Sequence, residues 1–248
     1  MKYSCIVFDL DGTIYFGNKL ANKANQVIQK ARTLSKKTFF ITNNSAKTRK
    51  QVLQKLENMG IDIKLEELVT SSYAVALYLK ANNYYNVYCI GTKSFKDEIE
   101  QFNINTSADN PQAVVVGYNP NFKLDDLNEL ANINLSNYKL IAANKERIYP
   151  KENGYLVPGA GAIISAVENL LNRKTDVIVG KPNVGILKAA LSGFDFKPKE
   201  ICVVGDSYDS DIKMAENFGA NGILISDEYK PDCLCISKLA DLLEIWND

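Results

Sequence analysis

Near the N-terminus an unbroken apolar run, Cys5 to Phe8, ends in two acids, Asp9 and Asp11, and then turns on Gly12. A run without polar alternation, closed by a glycine, reads as a strand buried on both faces. If the strand continues through Leu10, period-two geometry points Asp9 and Asp11 to one side and turns Leu10 into the protein. Two carboxylates facing one small volume destabilise each other unless a cation or a proton lies between them. The stretch therefore suggests metal-assisted acid chemistry, and the plainer alternative is that the two acids cap a turn before Gly12 and Thr13.

The rest of the chain offers partners for such a strand. CIVFDL is followed by a helical pattern near residues 22–35, then by TFFITNN and a second helical pattern near 47–59. Short β segments come next at LVTSS, NVYCIG, AVVVGY and KLIAAN, and the alternation resumes with DVIVGKP, EICVVGDS and NGILIS, each beside a helical stretch. Alternation of this kind means βαβ units: an α/β fold with a doubly wound, mostly parallel, Rossmann-like sheet. Such sheets bind ligands at the carboxyl ends of their strands. Polar residues gather at those ends: Asp9 and Asp11, Thr42 and Asn43 after FFI, Lys181 after VIVG, and Asp206 after CVVG.

Composition narrows the chemistry. The chain has 248 residues, with 29 Lys plus Arg balancing 29 Asp plus Glu, so net charge gives no reason to expect nucleic acid or an anionic membrane as partner. No apolar run approaches the roughly 20 residues of a membrane span, and MKYSC lacks the regions of a signal peptide, so a cytoplasmic protein is expected. Five cysteines fit reduced thiols, three of them in strand-like runs, and nothing completes a metal clip with Cys233 and Cys235. There is no histidine, which removes Ser-His-Asp hydrolysis and phosphohistidine intermediates.

Each polar strand end has a chemical reading. In FDLDGT one Asp can attack phosphorus as a carboxylate while the other holds the proton a leaving group needs. A magnesium ion on Asp9 and the Asp11 carbonyl would offset their charge conflict. Thr42 and Asn43 stand just before a helix, where backbone N–H groups favour an anion, although Asn and Ser there are also ordinary caps, Ser45 included. Lys181, fixed by Pro182, could neutralise a phosphate. Asp206, first after its strand, is placed to ligate magnesium directly, and Asp211 to hold a metal-bound water or Lys181. Asp209 reads as more distant or solvent-facing.

Asp9-Leu10-Asp11-Gly12-Thr13, Thr42, Lys181 and Gly205-Asp206 through Asp211 together resemble, in order, the four motifs of the haloacid dehalogenase superfamily of phosphatases. The long stretch between Thr42 and Lys181 is similar to the NagD-like and 4-nitrophenylphosphatase subgroup, which inserts an α/β cap there. The resemblance implies Asp9 as the nucleophile forming an aspartyl phosphate, and Asp11 as acid and then base. It implies phosphate held by Thr42, Asn43 and Lys181, and magnesium on Asp9, the Asp11 carbonyl and Asp206. It implies a core of 1–81 and 176–248 with a cap at 82–175. The segment from Tyr155 to Ile164 resembles the subgroup's glycine-rich cap segment, where Gly159 and Gly161 could bring backbone amides near a substrate, or simply form an entry turn. AANKERIYP keeps only Asn144 of the Thr-Asn-Pro-Asp pattern of relatives.

The expectation is a magnesium-dependent phosphomonoesterase of a small phosphorylated metabolite: a nucleotide monophosphate, a sugar phosphate, glycolate or glycerol phosphate, or 4-nitrophenyl phosphate as surrogate. A phospho-metabolite binding or regulatory protein and a phosphotransferase on the same fold are the alternatives. A homodimer is left open, since caps of relatives often support one.

Overall fold

The strand Cys5–Asp9 is buried at every residue because it lies inside a sheet, with neighbours on both sides. The computed structural model describes residues 3–150 and 155–246. The chain divides into two compact units, Met1–Thr42, Val52–Val69 and Lys181–Asp248 making the first, Asn43–Gln51 and Thr70–Gly180 the second.

The first unit carries a six-stranded sheet in the spatial order Leu234–Ile236, Asn221–Ile225, Ile201–Gly205, Cys5–Asp9, Lys37–Thr42, Leu68–Thr70, the last strand ending one residue into the second unit. Cys5–Asp9 runs parallel to both its neighbours, with Cys5 opposite Ile201 on one side and Lys37 on the other. Both strands flanking it are therefore reached through crossovers, as the alternating pattern requires. Alternate residues Ile6, Phe8, Phe40, Cys202, Val204 and Ile223 pack with Val27, Ile28 and Ala31 of the helix Ala24–Thr33. The Phe8 and Phe40 rings stack at 5.6 Å, and burying each contributes about 1.5–3 kcal/mol. Buried Glu67 ties this helix to the sheet: its Oε1 accepts from Thr38 Oγ1 at 2.7 Å and its Oε2 from Arg32 Nη2 at 2.8 Å.

The second unit is built on a four-stranded parallel sheet in the order Val177–Ile178, Lys139–Ala142, Ala113–Val116, Val87–Ile90. The helices Ser71–Ala81, Lys93–Glu100 and Ala160–Leu170 belong to it, as does an antiparallel pair, Ile148–Pro150 with Leu156–Pro158. This unit extends beyond the 82–175 read from sequence, of which 151–154 lie outside the described residues. Residues 43–51 and 71–81 join it through Arg49 paired with Glu98 at 3.5 Å, Thr92 Oγ1 donating to the Ala46 carbonyl, and the Tyr73 ring against Phe102.

Two sequence expectations change here. LVTSS is a strand only to Thr70, whose hydroxyl accepts from Tyr73 N and caps the helix that starts at Ser71. DVIVGKP supplies a strand of the second sheet, not of the first. Asp176 fixes that pairing, since its N–H donates to the Leu140 carbonyl at 2.8 Å and its Oδ2 accepts from Leu140 N at 2.7 Å.

Candidate active site

All the polar strand ends of the first unit converge on one point. Asp9 closes its strand, Thr42 closes the neighbouring Lys37–Thr42, and Asp206 follows Ile201–Gly205 on the other side. Parallel strands in register must place these ends side by side. Lys181 is where the chain re-enters this unit, and the Lys181–Pro182 peptide bond is cis.

Lys181 is the centre of the arrangement. It is 5% exposed, and its Nζ donates to Asp9 Oδ1 at 2.5 Å and to Asp211 Oδ1 at 2.7 Å. Burial opposes its charge, but Asp211 and Asp9 outweigh burial and hold the ammonium above its usual value. Asp211 is 1% exposed and reaches Lys181 from a π-helical turn, Tyr208–Ile212, while its Oδ2 accepts from Ser207 N at 3.1 Å. Gly205 makes this possible, because a Cβ there would overlap the Asp211 carboxylate.

One lysine does not balance the acids around it. Among the described residues, Asp9, Asp206 and Asp211 bring carboxylate oxygens within 4.8 Å of one another. Burial drives the Asp9 carboxyl well above the usual range; Lys181 opposes this, and Asp211 and Asp206 add to it. Asp206 is pushed up to about 6 by lost hydration first and the Asp211 charge second, although its outer edge reaches solvent. Three carboxylates against one ammonium leave an excess of two negative charges, and an all-oxygen donor set of that charge suits a hard divalent cation. Gly12, at φ 93°, lets the Asp206 carboxylate lie against the turn after Asp11, where any side chain would collide with it. Thr13 Oγ1 reaches Asp206 Oδ1 at 3.4 Å.

Asp11 is held differently. The strand ends at Asp9; Leu10 is turned into the core, its carbonyl accepts from Ile14 N at 2.9 Å, and Asp11 stands exposed in that turn. Its Oδ2 accepts from the Tyr15 hydroxyl at 2.8 Å and from Thr42 Oγ1 at 3.4 Å. Tyr15 was not singled out by sequence, where it reads as one more large side chain after the turn. The only available signal was a hydroxyl-bearing aromatic four residues past the second acid.

Asn43 belongs to the second unit. Its Nδ2 donates to Glu146 Oε1 at 2.8 Å, and its carbonyl accepts from Ser71 Oγ at 2.8 Å and Asn144 Nδ2 at 2.7 Å. Ser45 caps no helix; its Oγ accepts from Tyr118 N, and the following helix is capped by Thr48, whose Oγ1 accepts from Gln51 N. Gly159 and Gly161 do not present amides to a ligand, because their N–H groups donate to the Arg147 and Glu146 carbonyls at 2.8 Å each. Of the two readings given to these glycines, helix entry is the one their bonds support: Gly159 precedes the helix Ala160–Leu170. Asp209 faces solvent and pairs with Lys213 Nζ at 2.6 Å.

Comparison with known proteins places these features in a wider group. A family model described as haloacid dehalogenase-like hydrolase matches residues 6–105, and a related one, HAD-hydrolase-like, matches 178–234. The chain is 30% identical to the sugar-phosphatase AraL of Bacillus subtilis, over 89% of this chain and 82% of that protein. It is 32% identical to an acid sugar phosphatase of Staphylococcus haemolyticus, over 90% and 84%. Among solved structures, the p-nitrophenyl phosphatase from Archaeoglobus fulgidus superposes with a TM-score of 0.88 at 27% identity, covering 99% of this chain and 100% of that one.

Proposed function

The chain belongs to the haloacid dehalogenase-like hydrolases and is a phosphoric monoester hydrolase, and from that premise we propose that it hydrolyses small sugar phosphates with magnesium, through an aspartyl-phosphate on Asp9. The observation that carries this reading is the pairing of a buried carboxylate, Asp9, held by Lys181, with an exposed one, Asp11, two residues on. Two acids in such different surroundings suit two different tasks. The choice of sugar phosphates rests on the names of the curated relatives, and 4-nitrophenyl phosphate serves as surrogate.

Asp9 attacks phosphorus as a carboxylate while Lys181 fixes its orientation and faces the charge that develops on the phosphoryl oxygens. Asp11 gives a proton to the departing oxygen and then takes one from the water that opens the acyl phosphate. Thr42, whose hydroxyl reaches Asp11, and Asn43 hold the phosphate in this reading. Asp9, Asp206 and the Asp11 carbonyl would hold magnesium, which would supply charge neutralisation for the phosphoryl group. Asp211 acts through Lys181. The choice of substrate is assigned to the second unit. Five free cysteines suit a cytoplasmic setting, and no helix among the described residues is long and apolar enough to cross a membrane.

Phosphate release from a panel of sugar phosphates, nucleotide monophosphates, glycolate and glycerol phosphates tests the proposal. Release with magnesium and its loss with chelator are expected, sugar phosphates ranking above the rest. Release unaffected by chelator would remove the metal from the reaction, and a nucleotide preference would overturn the substrate class.

The same cluster gives a pH prediction. A carboxyl whose folded value is raised contributes stability while protonated and loses it as pH rises through that value. For Asp206 the window runs from the ordinary 3.8 to about 6, and Asp9 moves in the same direction. The metal-free protein should therefore melt at a higher temperature at about pH 5 than at about pH 7.5, and magnesium should raise the melting temperature more at the higher pH. A melting temperature indifferent to magnesium at the higher pH would separate the cluster from the metal.

A further inference from the structure

We propose that Tyr15 is a positioning residue for proton transfer: its hydroxyl, with that of Thr42, occupies one oxygen of Asp11 and so directs the transferable proton to the other. The inference rests on the reading of Asp11 as general acid given above.

The geometry is specific. Both hydroxyls converge on Oδ2 of Asp11, Tyr15 at 2.8 Å and Thr42 at 3.4 Å. A carboxylic acid has one oxygen that carries the proton and one that only accepts. Donors placed on Oδ2 make it the accepting oxygen, so the proton resides on Oδ1 and points away from the turn. In the first step the Asp9 carboxylate forms a bond to phosphorus, the bond from phosphorus to the ester oxygen breaks, and the Oδ1 proton passes to that departing oxygen. The proton and the electron pair are then accounted for within the enzyme and its substrate.

The tyrosine is built to stay a donor. It is 2% exposed, and its hydroxyl donates to Asp11 from inside the core. Its backbone is fixed to the same turn: Tyr15 N donates to the Leu10 carbonyl, and its own carbonyl accepts from Gly12 N at 2.8 Å. Lys55 Nζ stands 3.9 Å from the ring centroid, a cation over the π face that helps to hold the ring in place. A tyrosine serving only for packing would need no hydroxyl aimed at Asp11.

The test compares leaving groups. An alkyl phosphate needs its departing oxygen protonated, whereas 4-nitrophenolate leaves with little help. Tyr15→Phe, Asp11→Asn and the parent enzyme are assayed with glycerol phosphate and 4-nitrophenyl phosphate. Tyr15→Phe is expected to lower kcat for glycerol phosphate about tenfold, a smaller loss than the 10²–10⁴-fold worth of the acid itself. The loss for 4-nitrophenyl phosphate should be several-fold smaller, and KM for both should move little. Equal losses on the two substrates, or no loss on either, would overturn the proposal, since a purely structural role does not distinguish leaving groups. If Asp11→Asn also fails to distinguish them, the assignment of Asp11 falls. If Asp11→Asn does and Tyr15→Phe does not, only Tyr15 is removed.

Discussion

Asp9→Asn protein is expected to release no phosphate from any substrate, a loss of roughly 10⁴-fold or more, while remaining folded. The amide has nearly the shape of the carboxylate but cannot form an acyl phosphate. The fold should survive because the ionised Asp9 is itself costly: burial and two neighbouring acids press its carboxyl well above the ordinary range, against the pull of Lys181. A group so raised loses its contribution to stability as pH rises through the folded value, and asparagine has no proton to lose. In the absence of metal at about pH 7.5 the variant should therefore melt no lower than the parent. Lys181 keeps its bond to Asp211 at 2.7 Å in either case. Intact-protein mass after acid quenching should show one phosphoryl increment on the parent during turnover and none on the variant. Retained turnover, or an increment that persists in the variant, would remove Asp9 as nucleophile.

Much of this site was legible in the sequence because it depends on strand ends. Register in a parallel sheet is set by buried apolar runs, and CIVF, FFI and ICVV announce themselves; once those strands lie side by side, Asp9, Thr42 and Asp206 must meet. What the sequence could not show depends on short-range geometry or on which sheet a strand joins. DVIVGKP looks like another core strand because its composition is the same. The bonds of Asp176 with Leu140, and those from Val179 and Gly180 N–H to the Ala142 and Ala143 carbonyls, assign it to the second sheet. Gly159 and Gly161 carry the same residue type whether they present amides to a ligand or pack a helix start, and the carbonyls of Glu146 and Arg147 decide between the two. Tyr15 was invisible for a similar reason: nothing in its spacing says which way a buried hydroxyl points.

Lys181→Met should show a loss of both stability and turnover. The lysine is the cation shared by Asp9, 4% exposed, and Asp211, 1% exposed, and methionine fills its volume without its charge. Removing one partner from a buried pair leaves uncompensated charge, which costs about 3–5 kcal/mol. Turnover should fall by about 10²–10³-fold, as for other preorganised charges facing a reacting oxyanion. Lys181 has a folded value above the ordinary 10.5, so its stabilisation is complete below that value and is lost only as pH rises past it. The deficit of the variant is therefore full at neutral pH. It should shrink as pH falls and Asp9, whose carboxyl is raised, takes up a proton. A second substitution separates charge from packing. If the cost is the orphaned charge, Asp211→Asn added to Lys181→Met should recover part of the lost melting temperature, since the two residues are in direct contact and their effects cannot add. Turnover should not recover, because the phosphate would still lack its lysine. Additive losses of stability in the double variant would mean that Lys181 holds the site by packing, and the electrostatic account of this centre would have to be given up.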